Sequence, residues 1–252
     1  MIKSKKLSKF KTLEHAFFSK LGGKSTGIFK SLNCGPGSSD KPKNIQKNLK
    51  IVSNKIKAKS RKIFLLHQVH STKFHYISKH SKLYKKYKGD ALVTDKKNLP
   101  IAVLTADCAP ILIYDENKKM IAAVHAGWKG AYKGIVIKVI KFMIKKGCSS
   151  KSITAVIGPC ISNKNYNVRE DFIKKFIKKD KKNIIFFKKT NNKSYFNLNK
   201  YIHFQLKGLD IKKIDIIKKD TFNVKNNFFS ARRSISRNEN DYGRNISIIM
   251  IN

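Results

Sequence analysis

Apolar residues along this chain gather into short runs separated by turn-forming residues. Runs at 14–19, 62–66, 74–77, 91–94, 101–104, 111–114 and 121–125 are too short for helices and read as strands. Several are apolar at consecutive positions, which predicts a sheet covered on both faces. Helical spacing takes over at Ile45, Leu49, Val52 and Ile56, behind Pro42, with Asp40 as the expected cap. It returns at Ile135, Val136, Val139, Ile140 and Met143, where Lys138, Lys141 and Lys145 fall outside the stripe and Gly147 suits the stop. The pattern beyond predicts strands over 153–157, 184–187, 211–217 and 246–250 and helices over 169–178 and 198–206. This mixture is an α/β fold, and with no internal repeat or linker the 252 residues read as one domain, 1–252.

The runs at 111–114 and 121–125 flank the polar turn 115–119 and should pair as an antiparallel hairpin. Such a hairpin brings its outer ends together, making neighbours of Cys108 and His125. A third ligand is on offer in His67-Gln68-Val69-His70, after the run at 62–66. In an extended segment His67 and His70 point to opposite faces, so only one can join. Two imidazoles and a thiolate, with a fourth position open, make a catalytic zinc site. The competing reading is a Cys and a His packed in an ordinary hairpin. Crowding at the strand ends favours chemistry, because Asp107, Gly127, Trp128 and Gly130 stand there too. Asp107 is the candidate for proton transfer or for orienting His125, against a role as turn cap. The helix start at Gly127–Gly130 offers free N–H groups to an anion such as phosphate.

Two more segments bear on anions. The glycine-rich stretch 20–27, opened by Lys20, lacks the spacing of a Walker loop and is otherwise a surface turn. Adjacent Arg232 and Arg233 could clamp a phosphate bidentately or form a solvated pair. The net charge of +41 invites a nucleic-acid reading, but the lysines are spread over the whole length among Ile and Asn, as a strongly AT-biased genome would produce. The aromatic and basic residues at 84–88 and 186–189 are too few to form base-stacking platforms, so nucleic-acid binding is not the expected function. Four cysteines without framework spacing, no apolar leader and no membrane-length apolar run lead to a cytoplasmic expectation.

The residues taken together resemble a known family, long labelled multicopper polyphenol oxidase or laccase-domain protein and later assigned as purine nucleoside phosphorylase with adenosine deaminase activity. The resemblance runs through 18–23, 31–35, His67-Gln-Val-His70, Gly89-Asp-Ala-Leu-Val-Thr94, Thr105-Ala-Asp-Cys-x-Pro110, His125-Ala-Gly-Trp-Lys-Gly130, 157–160 and Phe228-Phe-Ser-x-Arg-Arg233. It implies His70, Cys108 and His125 as metal ligands and a layered α-β-β-α sandwich similar to toxin deamidases that use a Cys–His pair. It also implies phosphorolysis of adenosine, inosine, guanosine or methylthioadenosine to free base and ribose-1-phosphate, with phosphate near Lys20, Gly127, Trp128, Arg232 and Arg233. With water in place of phosphate, the same metal chemistry serves deamination of adenine. The chain departs from the family pattern at Lys20, usually Arg, at Lys24 within Gly-Gly-Lys-Ser, at Asn167, usually Glu, and at Ala231, usually aromatic.

A multicopper oxidase needs many imidazoles, usually in His-x-His pairs; this chain has seven His and no such pair. One Cys with two His suits zinc, and copper would bind the same donors tightly without redox work. The other hydrolytic reading is an enzyme acting on a cell-wall precursor, with Cys108 as nucleophile and His125 as its base.

Overall fold

The structure is a computed structural model that describes residues 1–58, 62–78, 81 and 87–252. Residues 84–86 of the basic aromatic stretch lie outside the described residues. In chain order the elements are β1 (Leu13–Phe17), α1 (Pro42–Lys55), β2 (Phe74–Tyr76), β3 (Ala91–Thr94), β4 (Ile101–Thr105), β5 (Ala109–Asp115) and β6 (Met120–Ala126). There follow α2 (Trp128–Tyr132), α3 (Ile135–Lys145), β7 (Ile153–Ile157), β8 (Asn167–Val168), α4 (Glu170–Lys179), β9 (Phe187–Thr190), β10 (Lys193–Phe196), α5 (Leu198–Lys207), β11 (Lys213–Ile216), α6 (Ala231–Ser236) and β12 (Asn245–Ile251).

Strand alternation builds four layers. A six-stranded mixed sheet runs β11-β7-β5-β6-β3-β2, and a three-stranded antiparallel sheet runs β1-β12-β4. In β5, Ile111 and Ile113 join the core under α3 and α5, while Leu112 and Tyr114 point the other way. That second face meets Phe17, Ile101, Val103, Ile249 and Ile251 of the small sheet. The outer face of the small sheet, with Ile246, Ile248 and Met250, packs on Val52 and Ile56 at α1. The order is therefore helix, sheet, sheet, helix, as expected. Both sheets are covered on both faces, and this explains why β5, β6 and β12 are buried at every position. Among the described residues no helix is long and apolar enough to cross a membrane.

Several local expectations need correcting. The run at 62–66 makes only an isolated bridge, Phe64 to Ile101. The segment expected as a strand at 184–187 is a 3-10 turn over Lys181–Phe186 that buries Phe186, and β9 starts at Phe187. The apolar run fixes neither burial nor backbone shape here, since Ile184 and Ile185 stay exposed beside buried Phe186. Asp40 does not cap α1 in the expected way: its Oδ2 accepts from Ser25 Oγ at 2.6 Å and Asn33 Nδ2 at 3.0 Å, tying two loops together. Asn48, inside the apolar stripe of α1, completes that tie by donating to Ser25 Oγ and to the carbonyls of Ser31 and Asn33. Cys148 is packed in the core with its Sγ 3.9 Å from Met120 Sδ. Cys148→Ala would therefore leave a void in the core.

Buried His15 on β1 accepts the Ser4 N–H through Nε2 at 2.9 Å, which requires a neutral ring. Burial pushes its pKa down to about 4, and Lys3 adds to the effect. The unfolded chain takes up this proton first, so stability is lost as pH falls from about 6.5 toward 4. Between pH 7 and 5 the wild type should lose about 1–2 kcal/mol more than His15→Gln, read from denaturant midpoints.

Candidate metal centre

The β5–β6 hairpin sets the geometry. Pro110 pairs with His125 and Ala109 with Ala126, so Cys108, one residue before β5, faces Gly127. Along β6, Ile121 and Ala123 face the small sheet, and alternation puts His125 on the same side at the strand end. His70 comes in from the loop after Phe64. The ligating atoms of His70, Cys108 and His125 all lie within 4.8 Å of one another, with Cys108 Sγ 3.8 Å from His70 Nε2. The two imidazoles meet edge to face, their centroids 4.8 Å apart. A tetrahedral ion with bonds of about 2.0–2.3 Å needs donors roughly 3.3–3.6 Å apart, within side-chain rotation of this arrangement.

The expected orienter of His125 is wrong. Asp107 has positive φ and turns away: Oδ1 accepts from Thr221 Oγ1 at 2.6 Å, and Oδ2 accepts from Ser230 Oγ and the Arg232 N–H. It ties the β4–β5 corner to the start of α6. Fully buried Asp90 does the orienting, accepting from His125 Nδ1 at 2.8 Å and leaving Nε2 for the metal. The same carboxylate accepts the N–H groups of His70 at 2.9 Å and Ser71 at 2.6 Å, and the Ser71 hydroxyl at 2.7 Å. It thus fixes two ligands at once. The sequence signal for it was the Gly-Asp step opening β3, which by itself resembles any turn.

His70 sits at φ 56°, so the segment is not extended, and His67 and His70 line the same large cavity instead of opposite faces. Gln68 holds this loop against β4 by donating Nε2 to the Leu104 carbonyl and accepting the Leu104 N–H.

The electrostatics suit a metal. Burial raises the Cys108 thiol, but the His125 charge and hydrogen bonds from both imidazoles outweigh it and bring the pKa down to about 7. Burial lowers His125, yet Cys108 and Asp90 outweigh it and raise the pKa to about 9. Burial raises Asp90, and the bonds from His125 and Ser71 outweigh that and hold it near 2. A soft thiolate beside two imidazoles, one fixed by a carboxylate, fits zinc and accommodates copper.

Two cavities meet at Cys108. The larger, about 450 Å³, is lined by Gly35, His67, His70, Thr105, Tyr242 and Arg244, among others. The smaller, about 160 Å³, is lined by Asp107, Tyr166, Ile235 and Arg232. The expected double arginine clamp does not form. Arg233 points away and donates to the carbonyls of Thr221, Phe222 and Phe228, and with Lys20 it lines a separate cavity. Adjacent side chains on a helix diverge by about 100°, which is the physical reason. Trp128 also leaves the centre and packs on Phe172, their centroids 4.9 Å apart. Gly127 stays: a Cβ there would lie 2.8 Å from Cys108 Sγ and 3.0 Å from His70 Cδ2, so its part is to leave room.

Asp90→Asn should lower zinc affinity about 10–100-fold, measured by competition with a chelator, since an amide cannot satisfy this set of donors. Gly127→Ala should also lower zinc content, whereas Asp107→Asn should keep the metal and lose thermal stability.

Comparison with known proteins agrees with this frame. The family described as multi-copper polyphenol oxidoreductase laccase matches residues 14–252. A purine nucleoside phosphorylase of Rickettsia prowazekii is 34% identical over 189 residues, covering 74% of this chain and 76% of that protein. One from Rickettsia conorii is 34% identical over 204 residues, covering 80% and 82%. One from Bacteroides thetaiotaomicron is 29% identical and covers 100% of this chain and 96% of its own. The crystal structure of the hypothetical protein YfiH of Bacillus licheniformis superposes with a TM-score of 0.86 at 26% identity, covering 95% of this chain and 93% of that one. YlmD of Geobacillus stearothermophilus, at 22% identity and a TM-score of 0.85 over 98% and 94%, shares the fold. On this match across nearly its whole length, the chain belongs to the laccase-domain family, whose relatives bear the name purine nucleoside phosphorylase.

Proposed function

We propose that this protein is a zinc-dependent purine nucleoside phosphorylase that also deaminates adenosine. The reading is supported above all by the His70–Cys108–His125 cluster standing where a large and a small cavity meet. The large cavity is of the size that holds small molecules and would take the nucleoside. The small one would take phosphate beside Arg232. That guanidinium is anchored by Nη1 on the carbonyl and side-chain oxygens of Asn167 and lies 5.6 Å from the Tyr166 ring centroid. Family members usually carry Glu where this chain has Asn167, and an amide anchors Arg232 without cancelling its charge. Lys20 and Arg233, in their separate cavity, would act on the catalytic phosphate only at a distance.

Phosphorolysis forms a bond from a phosphate oxygen to the sugar C1′ and breaks the bond from C1′ to the purine nitrogen. The electron pair leaves with the base, which takes up the proton that hydrogen phosphate gives up on forming the ester. Arg232 would hold the nucleophile, and the hydrogen-bonded Asp90–His125 pair would keep the site rigid. A bound zinc would supply positive charge against the charge that develops, and would serve the water-dependent loss of ammonia from adenosine. Adenosine, inosine, guanosine and methylthioadenosine are the proposed substrates. The cytoplasm is the proposed compartment, in keeping with four free cysteines.

Metal analysis should find about one zinc per chain. Zinc-loaded protein given inosine and phosphate should release hypoxanthine and ribose-1-phosphate. Cys108→Ala and His125→Ala should each lose metal and turnover with unchanged circular dichroism, since the core has no need of the ion. Arg232→Gln should raise KM for phosphate about tenfold or more. No turnover of any of the four nucleosides sinks the reading.

A second reading has one observation in its favour. Without metal, the Cys108 and His125 shifts describe a thiolate–imidazolium pair of the kind cysteine hydrolases use. Such an enzyme would act on an amide, such as one in a cell-wall precursor. Metal-free protein as isolated, with Cys108 alkylated rapidly at neutral pH, would favour it over the phosphorylase.

A further inference from the structure

The large cavity carries one guanidinium, Arg244, whose setting is unusual. Its main chain braces two loops: the Arg244 N–H donates to Asn33 Oδ1 at 2.9 Å, and its carbonyl accepts the Cys34 N–H at 3.1 Å. Its Nη1 donates to Asp241 Oδ1 at 2.7 Å and to the Tyr242 carbonyl. Asp241 is fixed in turn, accepting at Oδ2 from the Ser39 N–H and hydroxyl. The guanidinium carbon lies 4.2 Å from the Tyr242 ring centroid. The aliphatic stem runs over Gly35, where a Cβ would come within 2.7 Å of Arg244 Cδ. Nε and Nη2 have no hydrogen-bond partner among the described residues, so the guanidinium is held at one nitrogen and keeps donors for a ligand.

Two features separate Arg244 from a phosphate residue. Its charge is largely balanced by the Asp241 ion pair, while Arg232, in the other cavity, has no carboxylate pair among the described residues. It stands against the Tyr242 ring, and the wall of the same cavity includes the apolar Pro36, Leu66 and Leu104, which suit a flat base. A guanidinium presents parallel donors to adjacent acceptors, and its commonest specific base contact is with O6 and N7 of a 6-oxopurine. Adenine keeps N7 but puts a donor amine at position 6, which opposes the second donor.

We infer that Arg244 reads position 6 of the purine and makes the site prefer 6-oxopurine nucleosides, inosine and guanosine, over 6-aminopurine nucleosides. The inference rests on the phosphorylase reading above. Gly35 belongs to it, because only a residue without Cβ leaves the stem in place.

The test is the ratio of kcat/KM for inosine to that for adenosine in zinc-loaded protein. The wild type should favour inosine about tenfold or more, and Arg244→Met should lower the ratio about 10–100-fold, the range of one bidentate base contact. Gly35→Ala, which displaces the stem without removing the charge, should lower it in the same direction. The idea is overturned if the ratio stays unchanged in both variants, or if Arg244→Met raises KM for phosphate while all nucleosides fall together. Should Arg244→Met fail to fold, Gly35→Ala decides alone. If wild type cleaves no purine nucleoside, the phosphorylase reading falls, and base preference is judged by calorimetric binding. Hypoxanthine bound no tighter than adenine then overturns this inference as well.

Discussion

A buried carboxylate needs several donors to stay charged, and Asp90 collects them from two places far apart in sequence. The main chain at His70 and Ser71 and the ring of His125 all donate to it. Its own carbonyl accepts the His125 N–H at 2.7 Å, so the residue also belongs to the ladder beside β6. Few other groups could bind both sites so firmly. Hydroxyl acceptors would hold the loop weakly, and a water would hold neither ligand in register. The left-handed backbone at His70 carries a conformational cost, and the three charge-assisted bonds from His70 and Ser71 to Asp90 offset it. Ligand placement, loop shape and the choice of imidazole nitrogen therefore rest on one side chain.

The layers around this carboxylate supply rigidity. β5 and β6 lie inside the six-stranded sheet, buried on both faces, so the Cys108–His125 pair stands at the end of a fully buried hairpin. Loops form the rim around them. The loop of His70 is pinned by Gln68 on β4, and the loops of Gly35 and Arg244 are pinned to each other through Asn33. The rim shapes the cavities while the sheet fixes the chemistry.

How much of this the sequence disclosed depends on the range of the interaction. The hairpin, its register end and hence Cys108 beside His125 follow from local alternation and a turn. The layered fold follows from strands apolar on both faces. The choice of His70 over His67 rested on resemblance, since spacing in an extended segment was the wrong geometry for a residue at φ 56°. Asp107 and Asp90 both stand at strand ends, and proximity in sequence favoured Asp107. Its partners Thr221 and Ser230 lie more than a hundred residues away and carry no local mark. For the same reason the two arginines looked equivalent, although a helical turn sends one to a cavity at Cys108 and the other to backbone carbonyls.

The metal and cysteine readings share one electrostatic cause. A thiolate stabilised by two imidazoles is a good metal ligand because it is already deprotonated near neutral pH, and it would be a nucleophile for the same reason. What separates the two fates is the direction of the lone pairs, since both need an open side and Cys108 has one where the two cavities meet. A ligand needs its lone pair aimed at the other donors, and Cys108 Sγ faces His70 Nε2 at 3.8 Å. A Cys–His hydrolase needs one imidazole as base, and a second aimed at the same sulfur would compete for its lone pairs. The second histidine, brought there by Asp90 through a strained backbone, is therefore the feature that tips the site toward a metal.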